Sequence, residues 1–194
     1  MNKMKLRGIG LAVALGLGSI AMVGCTTTPA GSEASGPTAR AAMDRDADAT
    51  LSRLYSTVPG TREMVQRAAG VLVFPAVVGG SFVVGAEHGR GALREGGRTT
   101  GYYSTTAGSI GFQAGGQSKA VVYVFNTAEA LQKFKNSNGW TAGADATVAV
   151  GKIGANGSVD TETVKQAVSS FILTNVGLEA GAAVGAAKVT RISL

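Results

Sequence analysis

The hydrophobic pattern changes character several times along this 194-residue chain, and each change marks a different kind of segment. Gly8 to Gly24 is an almost unbroken apolar run of Leu, Ala, Val, Ile, Met and Gly. Thr26 to Thr38 is Thr, Ser, Gly, Pro and Ala with little apolar bulk, the composition of a flexible tether. Ala47, Leu51, Leu54, Tyr55 and Val58 then recur at helical spacing, which predicts an amphipathic helix over 44–58. Asp44, Asp46 and Asp48 fall in its early turns, where they suit the helix dipole. Pro59-Gly60 stops it, and Thr61 is placed to cap a second helix through Ala69. That helix turns Met64, Val65 and Ala68 inward and Arg62 and Arg67 outward.

From Gly70 the period becomes two. Val71 to Phe74 reads as a short buried strand ended by Pro75, and Ser81–Glu87, Arg90–Arg94, Thr99–Thr105 and Ser109–Ala114 read as successive short pieces. Glu95-Gly96-Gly97-Arg98 is a hairpin connection. Lys119–Phe125 is the clearest strand. Asn126-Thr127-Ala128-Glu129 has the spacing of a capping box, predicting a helix over 127–137. Thr141–Val150, Val168–Thr174 and Val176–Ser193 return to β-like alternation. The expected fold is α+β: one β-rich domain over 44–194, a curved, glycine-rich, mostly antiparallel sheet or partial barrel with about three flanking helices. Its 29 glycines are read as turns, bends and close approaches, since 45% hydrophobic residues is too many for a disordered chain.

Charge and cysteine narrow the setting. Lys3, Lys5 and Arg7 precede the first apolar run, and Cys25, the single cysteine, closes Met22-Val23-Gly24-Cys25. A basic start, an apolar stretch too short to favour a membrane span and a small residue at the end form a secretory signal. The segment resembles the lipobox of bacterial lipoproteins, with Met22 where that pattern favours Leu. The resemblance implies that residues 1–24 are removed, that Cys25 is acylated, and that 25–43 tether the domain. Thr26 in place of Asp implies the outer membrane, on its periplasmic side, rather than inner-membrane retention. Loss of 1–24 lowers the formal charge from +6 to +3. That is too weak a basic balance for nucleic-acid binding. One histidine and one cysteine exclude a Cys/His zinc site and an intramolecular disulfide. No cofactor or metal is expected.

Several motifs together resemble the SYLF domain family. They are Ala69-Gly70-Val71-Leu72-Val73-Phe74-Pro75, Gly79-Gly80-Ser81-Phe82-Val83-Val84-Gly85, Gly89-Arg90-Gly91, Gly108 to Gly115, Gly143 to Gly151, and Gly177-Leu178-Glu179-Ala180-Gly181. They run in family order over Leu51 to Leu194. The resemblance implies binding of membrane lipids, phosphoinositides in animal members. Fungal members also bind actin, which a periplasmic setting does not offer.

Arg90 and Arg94 lie an even number of residues apart on one strand and share a face, with Arg98 just past the turn. Three guanidiniums there either clamp a phosphate head group or form a solvated edge that discourages strand pairing. Arg45, Arg53, Arg62 and Arg67 on the two N-terminal helices either meet a bilayer interface or flank a core-packed stripe. Lys133 and Lys135 read as surface charges, and Trp140 as a partly buried cap or an interfacial anchor. His88 beside Glu87 has no nucleophile or triad partner and reads as a turn residue, so no enzyme is expected. Two functions remain: binding of anionic phospholipid or phosphoinositide head groups, or an envelope scaffold that meets a protein or cell-wall partner and touches lipid through its anchor alone.

Overall fold

The structure is a computed structural model that describes residues 35–81, 84–110, 113–179 and 186–194. In chain order its helices are α1 (Pro37–Thr57), α2 (Thr61–Arg67), α3 (Ala128–Asn136) and α4 (Thr161–Lys165). Its strands are β1 (Gly70–Ser81), β2 (Val84–Glu95), β3 (Arg98–Ile110), β4 (Gln113–Phe125), β5 (Trp140–Thr141), β6 (Val148–Val150), β7 (Val168–Thr174), β8 (Gly177–Leu178) and β9 (Ala187–Ile192). One sheet runs β5-β9-β3-β2-β1-β4-β7-β6, with β8 added on β7. Every described pairing of strands is antiparallel except β6 with β7. This is the mostly antiparallel curled half-barrel, with helices against it, that the pattern predicts.

The curl follows from connectivity. β3 and β4 flank the β1–β2 hairpin on opposite sides, yet Ile110 and Gln113 are three residues apart. Three residues reach at most about 11 Å, whereas strands three places apart in a flat sheet lie about 14 Å apart. The sheet must bend at that end to close the gap.

Both faces of the sheet are buried at its centre, which explains why Val71 to Phe74 is continuously apolar. Val71, Val73, Ala92, Val122, Val124 and Phe171 pack under Ala47, Leu54 and Val58 of the α1 end and Met64 of α2. Leu72, Phe74, Leu93, Tyr103, Tyr123 and Phe125 pack on the other face against Leu131 and Phe134 of α3 and Trp140. Ala34–Leu194 is one compact unit, and both clusters lie within it, so this unit carries its own core.

Several expectations are corrected. Pro75 does not end a strand. β1 runs through it because the register with β2 shifts between Val73 and Ala76 and that with β4 between Phe74 and Val77. A bulge there spares the ladder the amide that proline lacks. The short pieces fuse into strands of 12 or 13 residues. α1 begins at Pro37, inside the expected tether, so its aspartates lie beyond the first turn. Thr61 does not cap α2; its hydroxyl donates back to the Val58 carbonyl at 2.6 Å, joining the two helices. Thr127, not Asn126, caps α3, accepting from the Ala130 amide at 3.2 Å.

The expected strand over 141–150 is interrupted. The Thr141 amide donates to the Asp145 carboxylate at 2.6 Å, and Gly143 takes a φ of 83°, so the chain turns between β5 and β6. The α4 turn went unread. The hairpin at Glu95–Arg98 is as expected, with Gly96 and Gly97 both at positive φ, as a type I′ turn requires. Gly111, expected to mark a bend, lies outside the described residues.

Candidate functional site

The β2–β3 turn places the hairpin arginines in three different settings. Arg90 and Arg94 share a face by strand alternation, as expected, but that face is the one α1 covers. Arg94 Nη2 donates to the Asp48 carboxylate at 2.5 Å and to the Asp44 carbonyl at 2.9 Å, and its side chain is 13% exposed. The three-arginine clamp is therefore corrected. The Arg94 guanidinium is taken up in holding α1 to the sheet, because Asp44 and Asp48, one helical turn apart, both face it. Arg90 is half-buried and Arg98 is exposed.

The helix arginines do not converge either. Arg45 donates to the Ala41 carbonyl on its own helix at 3.3 Å. Arg53 reaches the Leu173 carbonyl at 3.3 Å. Arg62 lies 4.5 Å from the centre of the Tyr55 ring. Arg67 lines a small cleft of about 170 Å³ with Glu63, Met64, Asn126 and Val164. Lys135, read as a surface charge, pairs with Glu95 at 3.0 Å. Trp140 is 2% exposed and meets Tyr123, Phe125 and Phe134, so it is a core residue rather than an anchor at an interface. His88 sits mid-strand in β2, exposed, not in a turn; its Nδ1 lies 3.5 Å from the Thr106 hydroxyl. Cys25 lies outside the described residues.

What the fold brings together is a cleft of about 290 Å³ at the turn end of the sheet. The β3–β9 ladder stops at Tyr102–Ile192, and β3 continues to Arg98 without β9 beside it. Thr99, Thr100, Gly101 and Tyr102 form one wall, Arg191 to Leu194 another, and Arg40 of α1 a third. Arg40 is anchored by its Nε, which donates to the Leu194 backbone oxygen at 2.6 Å.

Two carboxylates lie behind this wall. Asp44 accepts from Thr99 at 2.8 Å and from the Tyr102 phenol at 3.3 Å, and Glu95 accepts from Thr100 at 2.6 Å. Burial raises the Tyr102 pKa, and Asp44 raises it further against the opposing charges of Arg40 and Arg94. Burial also raises Glu95, but the hydrogen bonds from Thr100 and Lys135 and the Lys135 charge outweigh it and leave its pKa lowered. Asp44 and Glu95 are thus tied to residues of the cleft, whose lining includes Arg40 and Arg191 and, among the described residues, no acidic side chain; Arg40 lies on the Tyr102 side of the sheet, whereas Arg191 pairs with Tyr103 and shares its face. Arg40 and Arg191 were not singled out from the sequence; 151 positions separate them, and topology alone joins them.

Residues 106–192 match the family described as Ysc84, Las17-binding protein actin regulator. That stretch, from late β3 through β9, is a Ysc84/SYLF domain, as the glycine motifs from Gly108 onward imply. The motifs from Ala69 to Gly91 lie outside the match. No curated protein matches the chain.

Proposed function

We propose that this protein is a lipid-anchored envelope protein whose domain binds anionic phospholipid head groups without catalysis. The observation that carries the reading is the Ysc84/SYLF domain in 106–192, a family associated with lipid binding. In this reading Cys25 is the acylated first residue of the mature protein, on the periplasmic side of the outer membrane. Two or more acyl chains hold a protein stably where one does so marginally, each buried CH₂ contributing about 0.8 kcal/mol. Twelve residues separate Cys25 from Pro37, a reach of at most about 43 Å. The anchor therefore keeps the start of α1, with Arg40 three residues on, within that reach of the bilayer. Each well-placed arginine then adds roughly 1 kcal/mol of attraction to an acidic surface.

The test has two arms. Cys25→Ser should move the protein out of the membrane fraction, and retention at wild-type level and length would defeat the anchor. Residues 34–194 should float with vesicles in proportion to their acidic lipid and come off with salt. Absence of flotation at every composition would defeat the domain's role. The second reading is a scaffold that meets an envelope protein or cell-wall partner. It draws support from the family's description, which names a protein partner. Actin itself is not carried over to a periplasmic protein.

A further inference from the structure

We infer that the smaller cleft, where α2 meets α4, binds a small apolar amino-acid residue that carries a free carboxylate. The inference does not depend on lipid binding. Gly60, Glu63, Met64 and Arg67 line the cleft at i, i+3, i+4 and i+7, so they form one stripe along α2 and its N-cap. Val164 of α4 and Asn126, between β4 and α3, complete the lining. Hydrogen bonds tie these elements together. At one end of the stripe the Val159 amide donates to the Pro59 carbonyl at 2.8 Å, and at the other the Ala69 amide donates to the Phe125 carbonyl at 2.9 Å. Asn126 is bound to the far end of α4. Its Nδ2 donates to the Gln166 carbonyl at 2.7 Å and to the Ser169 hydroxyl at 3.1 Å, and that hydroxyl donates to the Thr163 carbonyl at 2.6 Å.

The lining offers three kinds of contact. Met64, 4% exposed, gives an apolar floor, and Val164, 38% exposed, an apolar side still open to solvent. Arg67 and Glu63 are exposed, and neither makes a hydrogen bond or ion pair among the described residues. The Arg67 guanidinium therefore presents a planar fork of donors suited to a carboxylate. Asn126 spends both protons of its Nδ2, and because a carbonyl only accepts, the Gln166 bond fixes which way the amide faces. Its Oδ1 accepts from no described donor and is left for an N–H. Glu63, one helical turn from Arg67, opposes a second carboxylate and favours a donor beside the first. A volume of about 170 Å³ lies below the roughly 300–1,000 Å³ of sites for drug-sized ligands and suits one small side chain with its flanking groups. A carboxylate, an N–H and a small apolar side chain are what the last residue of a peptide presents when it is alanine or valine. A free amino acid presents the same set with an ammonium in place of the amide.

The experiment uses residues 34–194, first shown to melt cooperatively, and follows the amide resonances of Arg67, Asn126 and Val164. N-acetylalanine stands for a peptide terminus, alanine for the free amino acid, and N-acetylalanine amide for the same group without its carboxylate. The expected result is a saturable shift of all three resonances with N-acetylalanine, and at least tenfold weaker binding of its amide. Arg67→Gln should weaken N-acetylalanine at least tenfold, whereas Arg62→Gln, on the same helix but outside the cleft, should leave it unchanged. N-acetylalanine binding more tightly than alanine assigns the site to peptide termini, and the reverse order assigns it to free amino acids; either supports the site. Equal affinity for the acid and its amide, or an affinity untouched by Arg67→Gln, overturns it. So does the absence of shifts with both acids. If Arg67→Gln did not fold, the comparison of acid with amide on the unaltered domain would decide alone.

Discussion

Replacing Arg94 with Gln tests whether this residue holds the fold or greets a ligand. On the sequence alone, an arginine on a hairpin is expendable for stability. In the structure its guanidinium ties β2 to α1 across 46 and 50 residues of sequence. The Asp48 contact is worth under about 1 kcal/mol, because that carboxylate side chain is 66% exposed and screened by water. The bond to the Asp44 carbonyl is partly buried, and a charged donor there contributes about 1.5–3 kcal/mol. Nε, buried without a partner among the described residues, offsets some of this. Arg94→Gln should therefore cost about 2 kcal/mol, which for a domain of this size lowers Tm by about 4–8 °C. Arg98→Gln, exposed at the turn, should stay within about 0.5 kcal/mol. Thermal melts of 34–194 followed by circular dichroism give both numbers. A cycle with Asp48→Asn should return a coupling below about 1 kcal/mol. If Arg94→Gln melted within about one degree of wild type, Arg94 would not be holding α1 to the sheet and would be free to serve a ligand.

Other consequences are checked as readily. A methyl group at Gly151 would overlap the edge of the buried Phe171 ring, so Gly151→Ala should destabilise by about 1–3 kcal/mol in urea melts, whereas Gly108→Ala, with open space around it, should not. Thr61→Val removes the donor to the Val58 carbonyl in a fully buried setting and should cost about 1–2 kcal/mol by the same measurement. Burial raises the pKa of Tyr55, Tyr102, Tyr103 and, most strongly, Tyr123. Above their ordinary value near 10 the unfolded chain loses protons that the folded one keeps. The stabilisation is thus whole below about pH 10 and declines above it, a fall that Tm measured from pH 8 to 11 should reveal.

The middle of the sheet was legible because alternation and burial agree there. Lys119–Phe125 and Val168–Thr174 behave as their side chains dictate, and Gly96-Gly97 specifies its turn almost alone. Length was not legible. Pro75, Gly79 and Gly89 look like terminators locally, but long-range pairing carries β1 and β2 across them. The aspartates of α1 looked like first-turn acids until the helix was found to start at Pro37, which puts Asp44 and Asp48 opposite Arg94, Thr99 and Tyr102. The site suffered from the same blindness. Even spacing placed Arg90 and Arg94 correctly on one face, yet nothing local says that α1 lies over it. Arg40 and Arg191 border one cleft, from opposite faces of the sheet, because β9 pairs with β3 and α1 crosses its end, facts no window of sequence contains.

The central claim is that the Arg40–Arg191 end of the domain meets anionic lipid. Cys25 is the single cysteine, so residues 34–194 can be labelled at one chosen point. A fluorophore on Thr38→Cys, in the first turn of α1, reports the cleft end; one on Ser118→Cys reports the middle of β4, about seven residues or 23 Å along the strand from Phe125 at that end. Both positions are exposed. With vesicles of phosphatidylglycerol carrying a lipid-borne quencher, the label at 38 should be quenched and that at 118 should not. Quenching at 118 alone, or at neither, would contradict the account.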